Sequence, residues 1–512
     1  MNSNLEEGWI AGLSERAEQE ALFVDGQTFT YSEMASVAME TADQLRTIGI
    51  AEGDLVVVLA SPSVGGVILI HALIDQQIAM LPLNARLTEA EQIAALVRAR
   101  PRFLIVGPEF DNSKARRLAK AAQCGLIALS SSAEDPRSQT ASLTVSLSKI
   151  VNVSGREPFP ESRIEAGVAF ILLTSGTTGQ PKQAMLTLAN LIASARASNR
   201  LLGRNAKDRW LLCLPLFHIG GLSILLRSAL ARTSVALHTG FDANRVVAAF
   251  EADRITCVSF VATMLAEVIE ARGETPPPAS LRLILLGGGP APATLLDRAE
   301  SLGYPIAPTY GLTEAASQVA TRPPTEPAAP RPDDLAGGLV PLAGVEIRIM
   351  DANGKLMAEG GAGEIQLRGP IVMKGYRGER AARNNAIQAG WLSTGDIGRL
   401  DERGHLRVLD RRTDLIISGG ENIYPAEIES VLAEYPDIEE AGVVGCPDSK
   451  FGARPLAFVV LRPGRSLDQA ALVSFCRERL AGFKVPVDFI EMASLPKTAS
   501  GKLRRQALII SS

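Results

Sequence analysis

The stretch TSGTTGQPK, residues 174–182, packs four hydroxyl side chains, two glycines and one lysine into nine positions. A loop of this composition presents backbone N–H groups to phosphate oxygens. The hydroxyls of Thr174, Ser175, Thr177 and Thr178, the open backbone at Gly176 and Gly179, and the charge of Lys182 would hold them. It is not the common P-loop. That template needs G-x-x-x-x-G-K followed by Ser or Thr. Here Pro181 stands in place of the second glycine, and Gln183 replaces the magnesium-holding hydroxyl.

Four later stretches carry compatible chemistry. LGGGPAP (286–292) follows an apolar run with Gly287, Gly288 and Gly289, which lets backbone approach a flat ligand. PTYGLTEAAS (308–317) sets Tyr310, Gly311, Thr313 and Glu314 within five residues. GWLSTGDIGRLDERGHLRVLDRRTDLIISGGENIYPAEIE (390–429) carries Asp396 on an expected turn, Arg411 before an expected strand, and the pair Gly419 and Gly420. PKTASGKLRR (496–505) puts Lys502 after a Ser-Gly turn. Alone, Asp396 reads as a turn residue and Lys502 as a solvated charge. Their order along one chain is what raises them to site candidates.

DRWLLCLPLFHIGGLSILLRSALA (208–231) is of a different kind. His218 follows an apolar run, where by itself a histidine is packed or caps a helix. Arg227 lies in an apolar helix-like run, and a buried guanidinium is costly unless answered. Three answers are open: the side chain reaches solvent, it meets a protein carboxylate, or it meets a carboxylate on a ligand. The planar fork of arginine suits the last.

These residues need a large scaffold. The chain has 512 residues, too many for one core, so two or more domains are expected. Short apolar runs of strand length recur: DLVVVLAS, RFLIVG, GLIALS, VAFILLTSG, RWLLCLPLF, SVALH, TCVSFV and LRLILLGGG. Helix-like patterns such as LAKAAQ and ANRVVAAFEAD separate them, so an α/β fold with largely parallel sheets is predicted. From about residue 340 the texture changes to alternating VEIRIMD and GEIQLRG with DANGK and DERG turns, which predicts antiparallel hairpins. PAEIESVLAEY and LDQAALVSFCRERL predict two helices of a small α+β domain near the end. TRPPTEPAAPRPDD, with five prolines in fourteen residues, reads as a surface loop.

Charge and cysteine usage narrow the partners. Lys and Arg number 52 against 56 Asp and Glu, a net of −4, so no nucleic acid partner is indicated. No apolar stretch reaches the ~18 residues of a membrane span. The first twenty residues are acidic and lack the pattern of a signal peptide. The five cysteines are scattered, with no C-x-x-C, which fits structural thiols in a reducing cytoplasm. A homo-oligomer is compatible with all of this.

Taken in order, the five motifs resemble the adenylate-forming superfamily of acyl-CoA synthetases, luciferases and carrier-loading adenylation domains. The resemblance runs over about residues 10–508 and departs at Gln183, where the family often has glycine. It implies a large N-terminal AMP-binding domain, 1–411, of parallel-type α/β sheets plus a β-rich subdomain. A small mobile α+β domain, 412–512, would follow, with Thr413 at the hinge. It implies activation of a carboxylate with ATP and Mg2+, then transfer to a thiol such as CoA. Residues 174–182 would hold the β- and γ-phosphates, Tyr310 would stack on adenine, and Gly287–Gly289 and Gly311 would flank it. Thr313 would touch phosphate, Glu314 bind magnesium, Asp396 bind the ribose hydroxyls and Arg411 ribose or phosphate oxygens. Lys502 would bridge the α-phosphate and the acid, and Gly419 and Gly420 would line the thiol channel.

Within the superfamily, LPLFHIGGLS, ILLGGGPAP, YGLTEAASQ and LDRRTDLIISGGENIYPAEIESVL are similar to the o-succinylbenzoate–CoA ligase branch of menaquinone synthesis. That branch takes an aromatic acid with two carboxylates. It implies Arg227 as anchor of the benzoate and room for the ring at Gly220, Gly221 and Ser223. His218, Ser317 and Gln318 would also face the acid. A ligase for a fatty, aryl or malonate-type acid, a carrier-loading ligase, and a non-catalytic nucleotide-binding protein are the competing expectations.

Overall fold

A computed structural model describes residues 8–14, 18–87, 89–133, 143–151, 164–174, 182–289, 291–323, 338–378, 386–411, 416–418, 421–423, 425–448, 451–480, 482–498 and 503–509. All eight apolar runs become strands, because each is short, β-branched or leucine-rich, and buried on both faces. They build two large sheets. The first has nine strands, in the spatial order Val340–Pro341, Ser317–Thr321, Ile306–Leu312, Leu283–Leu286, Cys257–Phe260, Arg209–Leu212, Ser234–Leu237, Glu20–Val24 and Gln27–Thr30. From Ile306–Leu312 to Glu20–Val24 the pairing is parallel throughout.

The second sheet has eight strands, ordered Gly375–Arg377, Lys182–Thr187, Val168–Thr174, Ala79–Pro82, Leu55–Leu59, Phe103–Val106, Gly125–Ala133 and Leu143–Val151. Its middle is parallel, and Lys182–Thr187 returns antiparallel along Val168–Thr174. One continuous apolar cluster lies between the two sheets, contributed by Val56, Phe170 and Leu172 of the second and Trp210, Leu212 and Leu283 of the first.

The alternating segment after residue 340 forms the predicted hairpins. Glu346–Met350, Gly363–Arg368, Trp391–Leu400 and Leu406–Arg411 pair antiparallel in a third sheet. A fourth sheet draws only on residues from 416 onward and carries the predicted helices as Pro425–Ala433 and Gln469–Arg477. Its core joins Ile416, Ile428, Leu432, Val443, Leu472 and Phe489.

Four of the five cysteines are buried, and none forms a disulfide. Burial pushes the thiols of Cys124, Cys213 and Cys257 up to about 12, so they are inert packing groups. Among the described residues no helix is long and apolar enough to cross a membrane. Most of the proline-rich stretch, from 324, falls outside the described residues.

Candidate active site

The strands Val168–Thr174 and Lys182–Thr187 end opposite each other, with Thr174 paired to Lys182. Residues 175–181, and with them Ser175, Gly176, Thr177, Thr178 and Gly179, lie outside the described residues. The two gateposts can be followed. The Lys182 ammonium sits 5.0 Å above the ring of Tyr376. The Tyr376 hydroxyl donates to Glu314 Oε1 at 2.7 Å, and the Thr174 hydroxyl lies beside it. Tyr376 is carried by Gly375–Arg377, the edge strand that pairs Tyr376 with Ala184. Burial, and then the Glu314 charge, push its phenol far above the ordinary range, so it stays a donor.

Glu314 lies on a single 3-10 turn, Thr313–Ala315, between two strands of the first sheet. Its carbonyl accepts from Met373 N–H at 2.8 Å, so the segment before Tyr376 clasps it by backbone as well. Gly311 has no room for a side chain: a Cβ there would stand 1.9 Å from the Ser317 carbonyl. Ala316 and Ser317 both adopt positive φ, 51° and 101°, uncommon for residues with a Cβ and costly where they occur. The Ser194 hydroxyl donates to the Ala316 carbonyl at 2.7 Å and supports this turn.

The glycine loop follows the strand Leu283–Leu286 at the carboxyl end of the parallel sheet, where open α/β sheets bind ligands. A Cβ at Gly287 would meet Thr309 Cγ2 at 2.7 Å, Gly288 takes φ +83°, and Gly289 faces open space. Tyr310 comes from the neighbouring strand and donates from its hydroxyl to Asp396 Oδ2 at 2.7 Å. Asp396 is 8% exposed. The expected turn is absent: Asp396 lies inside the strand Trp391–Leu400, paired across to Arg411. Gly395, at φ +73°, reads as turn chemistry but serves within this irregular strand.

His218 N-caps the helix Ile219–Ala231 without a side-chain capping bond, its ring 4.6 Å from that of Phe217. Gly221 is demanded by packing rather than ligand room, since a Cβ would meet the Pro215 carbonyl at 2.4 Å, whereas Gly220 is unstrained. One turn on, Ser223 accepts from the Ser317 hydroxyl at 3.3 Å and donates to the Gly220 carbonyl.

Arg227 is 2% exposed, so it does not reach solvent. No carboxylate among the described residues pairs with it. Its Nη1 donates to Gln318 Oε1 at 2.8 Å and Ser198 Oγ at 3.1 Å, and its guanidinium lies 4.2 Å from the Trp210 ring. Nε and Nη2 have no partner. Burial lowers its pKa to about 10. It lines a narrow cleft with Ser223, Ser198, Ala316, Ser317 and Gln318. Gln318 also donates to Thr321 Oγ1 at 2.8 Å. Gly419, Gly420, Thr413 and Lys502 lie outside the described residues, and Arg411 is described only by its backbone.

The site thus joins a hydroxyl-and-lysine gate, a carboxylate, a glycine loop, an aromatic–carboxylate pair and a lone guanidinium. Over residues 12–377 the sequence matches the model of the AMP-binding enzyme family, and over 427–502 that of the AMP-binding enzyme C-terminal domain. The chain belongs to the AMP-binding enzyme family. A 2-succinylbenzoate–CoA ligase of Geobacillus kaustophilus is 42% identical over 486 residues, covering 94% of this chain and 93% of that one. Two solved structures of o-succinylbenzoate coenzyme A synthetase from Bacillus subtilis are 35% identical. The complex with the acyl-adenylate intermediate has a TM-score of 0.81 and covers 98% of this chain and 97% of the other. The complex with ATP and magnesium ion has a TM-score of 0.83 and covers 98% and 99%.

The donor set of this AMP-binding enzyme fits a magnesium ion carried by the nucleotide. Magnesium is commonly held by one or two carboxylates plus substrate phosphates. Glu314 offers a carboxylate bonded to Tyr376, and no cluster of three or more His, Cys, Asp or Glu side chains exists among the described residues to make an all-protein cage.

Tyr376 is the residue that reading the sequence missed. Its partners Lys182 and Glu314 are remote along the chain, and no local motif marks it. Ser198 and Trp210, which hold Arg227, were also invisible for that reason.

The Tyr310–Asp396 bond yields a first expectation. If Asp396 accepts from the ribose hydroxyls, as the resemblance implies, Asp396→Asn keeps the shape but weakens that acceptance. KM for ATP should rise roughly tenfold, as for loss of a charge-assisted hydrogen bond. The preference for ATP over 2′-deoxy-ATP should shrink; an undiminished preference would remove Asp396 from the ribose.

Proposed function

We propose that this enzyme joins o-succinylbenzoate to CoA with ATP, giving o-succinylbenzoyl-CoA, AMP and diphosphate. The observation that carries the choice of acid is Arg227, a buried guanidinium with no carboxylate partner among the described residues. An acid with two carboxylates answers it: the benzoate binds Arg227 while the succinyl carboxylate reacts. A mono-acid would leave the charge uncompensated, at a cost of several kcal/mol. The ligase relatives act on this acid by name, which supports the same reading.

In the first half-reaction a succinyl carboxylate oxygen attacks the α-phosphorus, and the bond to the β-phosphate bridge breaks. Diphosphate leaves with the electron pair. Residues 174–182 receive its charge through N–H groups, hydroxyls and Lys182. Thr313 touches the phosphate, Tyr310 and Gly287–Gly289 hold adenine, and Asp396 and Arg411 hold ribose. Magnesium at Glu314 neutralises phosphate charge when bound. Lys502 stabilises the α-phosphate and the entering carboxylate. In the second half-reaction the CoA thiolate sulfur attacks the acyl carbon, the acyl–oxygen bond breaks, and AMP leaves. Gly419 and Gly420 line the entry of the pantetheine arm, and His218 lies beside the acyl group.

We place the boundary between the two domains at 411/412, with Thr413 as the pivot that lets the small domain serve each half-reaction in turn. The confinement of the fourth sheet to residues from 416 onward supports this division. We infer a cytoplasmic enzyme, since all three substrates are soluble small molecules.

Mass spectrometry of the product formed from ATP, CoA and o-succinylbenzoate tests the proposal. The expected product is the CoA thioester, with fatty acids and plain benzoate turned over at least ~100-fold less efficiently, the scale of an unanswered buried charge. Equal use of benzoate would leave the second carboxylate without a role.

A further inference from the structure

Lys182 and Glu314 both contact Tyr376, yet no ion pair joins them among the described residues. The side chain between them is Tyr376. Its ring face seats the Lys182 ammonium at 5.0 Å, a cation–π arrangement. Its hydroxyl, at the far end of the same ring, binds Glu314 Oε1 at 2.7 Å.

The supports of Tyr376 are arranged for that task. Its strand, Gly375–Arg377, is sewn along Lys182–Thr187, which begins with the lysine itself. Met373, three residues earlier, grips the Glu314 carbonyl. Lys374 N–H bonds the Met185 carbonyl at 2.9 Å, and Asn190 Nδ2 donates to the Pro370 and Val372 carbonyls at 2.8 Å. The segment is therefore tied to both groups that Tyr376 separates.

We propose that Tyr376 is a positioning residue that holds the phosphate-gate lysine and the metal-binding carboxylate apart and aimed, so that both are available to Mg·ATP. This rests on the reading of Glu314 and Lys182 given above. One carboxylate oxygen is fixed by the phenol, which sets the rotamer and directs the other toward the nucleotide. The ring spares Lys182 a neutralising ion pair that incoming phosphates would have to break. AMP lacks the β- and γ-phosphates, so its binding is indifferent to Tyr376.

Calorimetric titration of the full chain, without acid or CoA, tests this. Tyr376→Phe keeps the ring and removes the hydroxyl. Affinity for Mg·ATP should fall about tenfold, the scale of one hydrogen bond to a charged group, with AMP affinity unchanged. Tyr376→Leu also removes the spacer and should weaken Mg·ATP further, again sparing AMP. Equal losses for Mg·ATP and AMP would show a merely structural role and overturn the inference, as would a leucine variant no worse than phenylalanine. Glu314→Gln, titrated with ATP with and without magnesium, separates the two levels. If it abolishes the gain from magnesium while Tyr376→Phe changes nothing, only the inference about Tyr376 falls. If it too changes nothing, the metal assignment falls and takes the inference with it.

Discussion

Arg227→Met is expected to raise KM for o-succinylbenzoate about 100-fold, the usual result of removing one member of a desolvated charge pair, while leaving the unliganded fold at least as stable. The second half of that expectation is the unusual one. A guanidinium whose pKa is lowered by burial to about 10 carries an unrelieved cost of about 3 kcal/mol at neutral pH. The sign follows from its being a base: the cost is full below pH 10 and fades only above it. Methionine removes it and fills similar volume.

The losses are modest. The contact with Trp210 at 4.2 Å contributes roughly 0.5–2 kcal/mol. The acceptor Gln318 Oε1 is not orphaned, because Ser198 Oγ also donates to it at 2.6 Å. Thermal denaturation checks both halves. o-Succinylbenzoate alone should raise Tm of the native chain and leave that of Arg227→Met unmoved. A variant that loses several degrees without ligand, yet keeps KM, would make Arg227 a structural residue.

Lys502→Ala should slow formation of the acyl-adenylate by at least ~100-fold, the order for one electrostatic contributor at an acyl or phosphoryl transfer. It should leave thioester formation from supplied acyl-adenylate and CoA near its native rate. In the proposed mechanism the charge is needed only while the α-phosphate is attacked. Lys502 closes the match to the C-terminal family model, and Lys497 pairs with Leu503 within the stretch that carries it. Pyrophosphate release in single turnover reads the first step, and consumption of supplied adenylate reads the second. A variant slow in both steps would point to a damaged small domain rather than a lost charge.

Most of the fold was legible because its strands are short apolar runs buried on both faces, a signal that needs no partner to be read. LILL and SVAL are such runs. The site was legible where one motif supplies a whole function, as with Tyr310, Thr313 and Glu314 within a few residues. It was illegible where function arises from long-range pairing. Asp396 reads as a turn because Gly395 precedes it, yet pairing with Leu406–Arg411 draws both into a strand. Gln318 gave no sign in the sequence that its amide also bonds Arg227, Ser198 and Thr321. Which answer Arg227 had found could not be read from an apolar helix, since it depends on Ser198, Trp210 and Gln318 from elsewhere in the chain.

The strand Gly375–Arg377 has a bearing on biosynthesis. It covers the outer edge of Lys182–Thr187, and Arg377 and Gln183, bonded across that seam, are 194 residues apart in sequence. Until that late strand emerges from the ribosome, the nascent second sheet ends in a bare row of N–H and C=O groups flanked by Ala184, Met185 and Leu186, a template for pairing with another chain. Closure over so long a loop is slow. Truncations ending before residue 375 should therefore aggregate, and newly made chains should depend on chaperones during that interval.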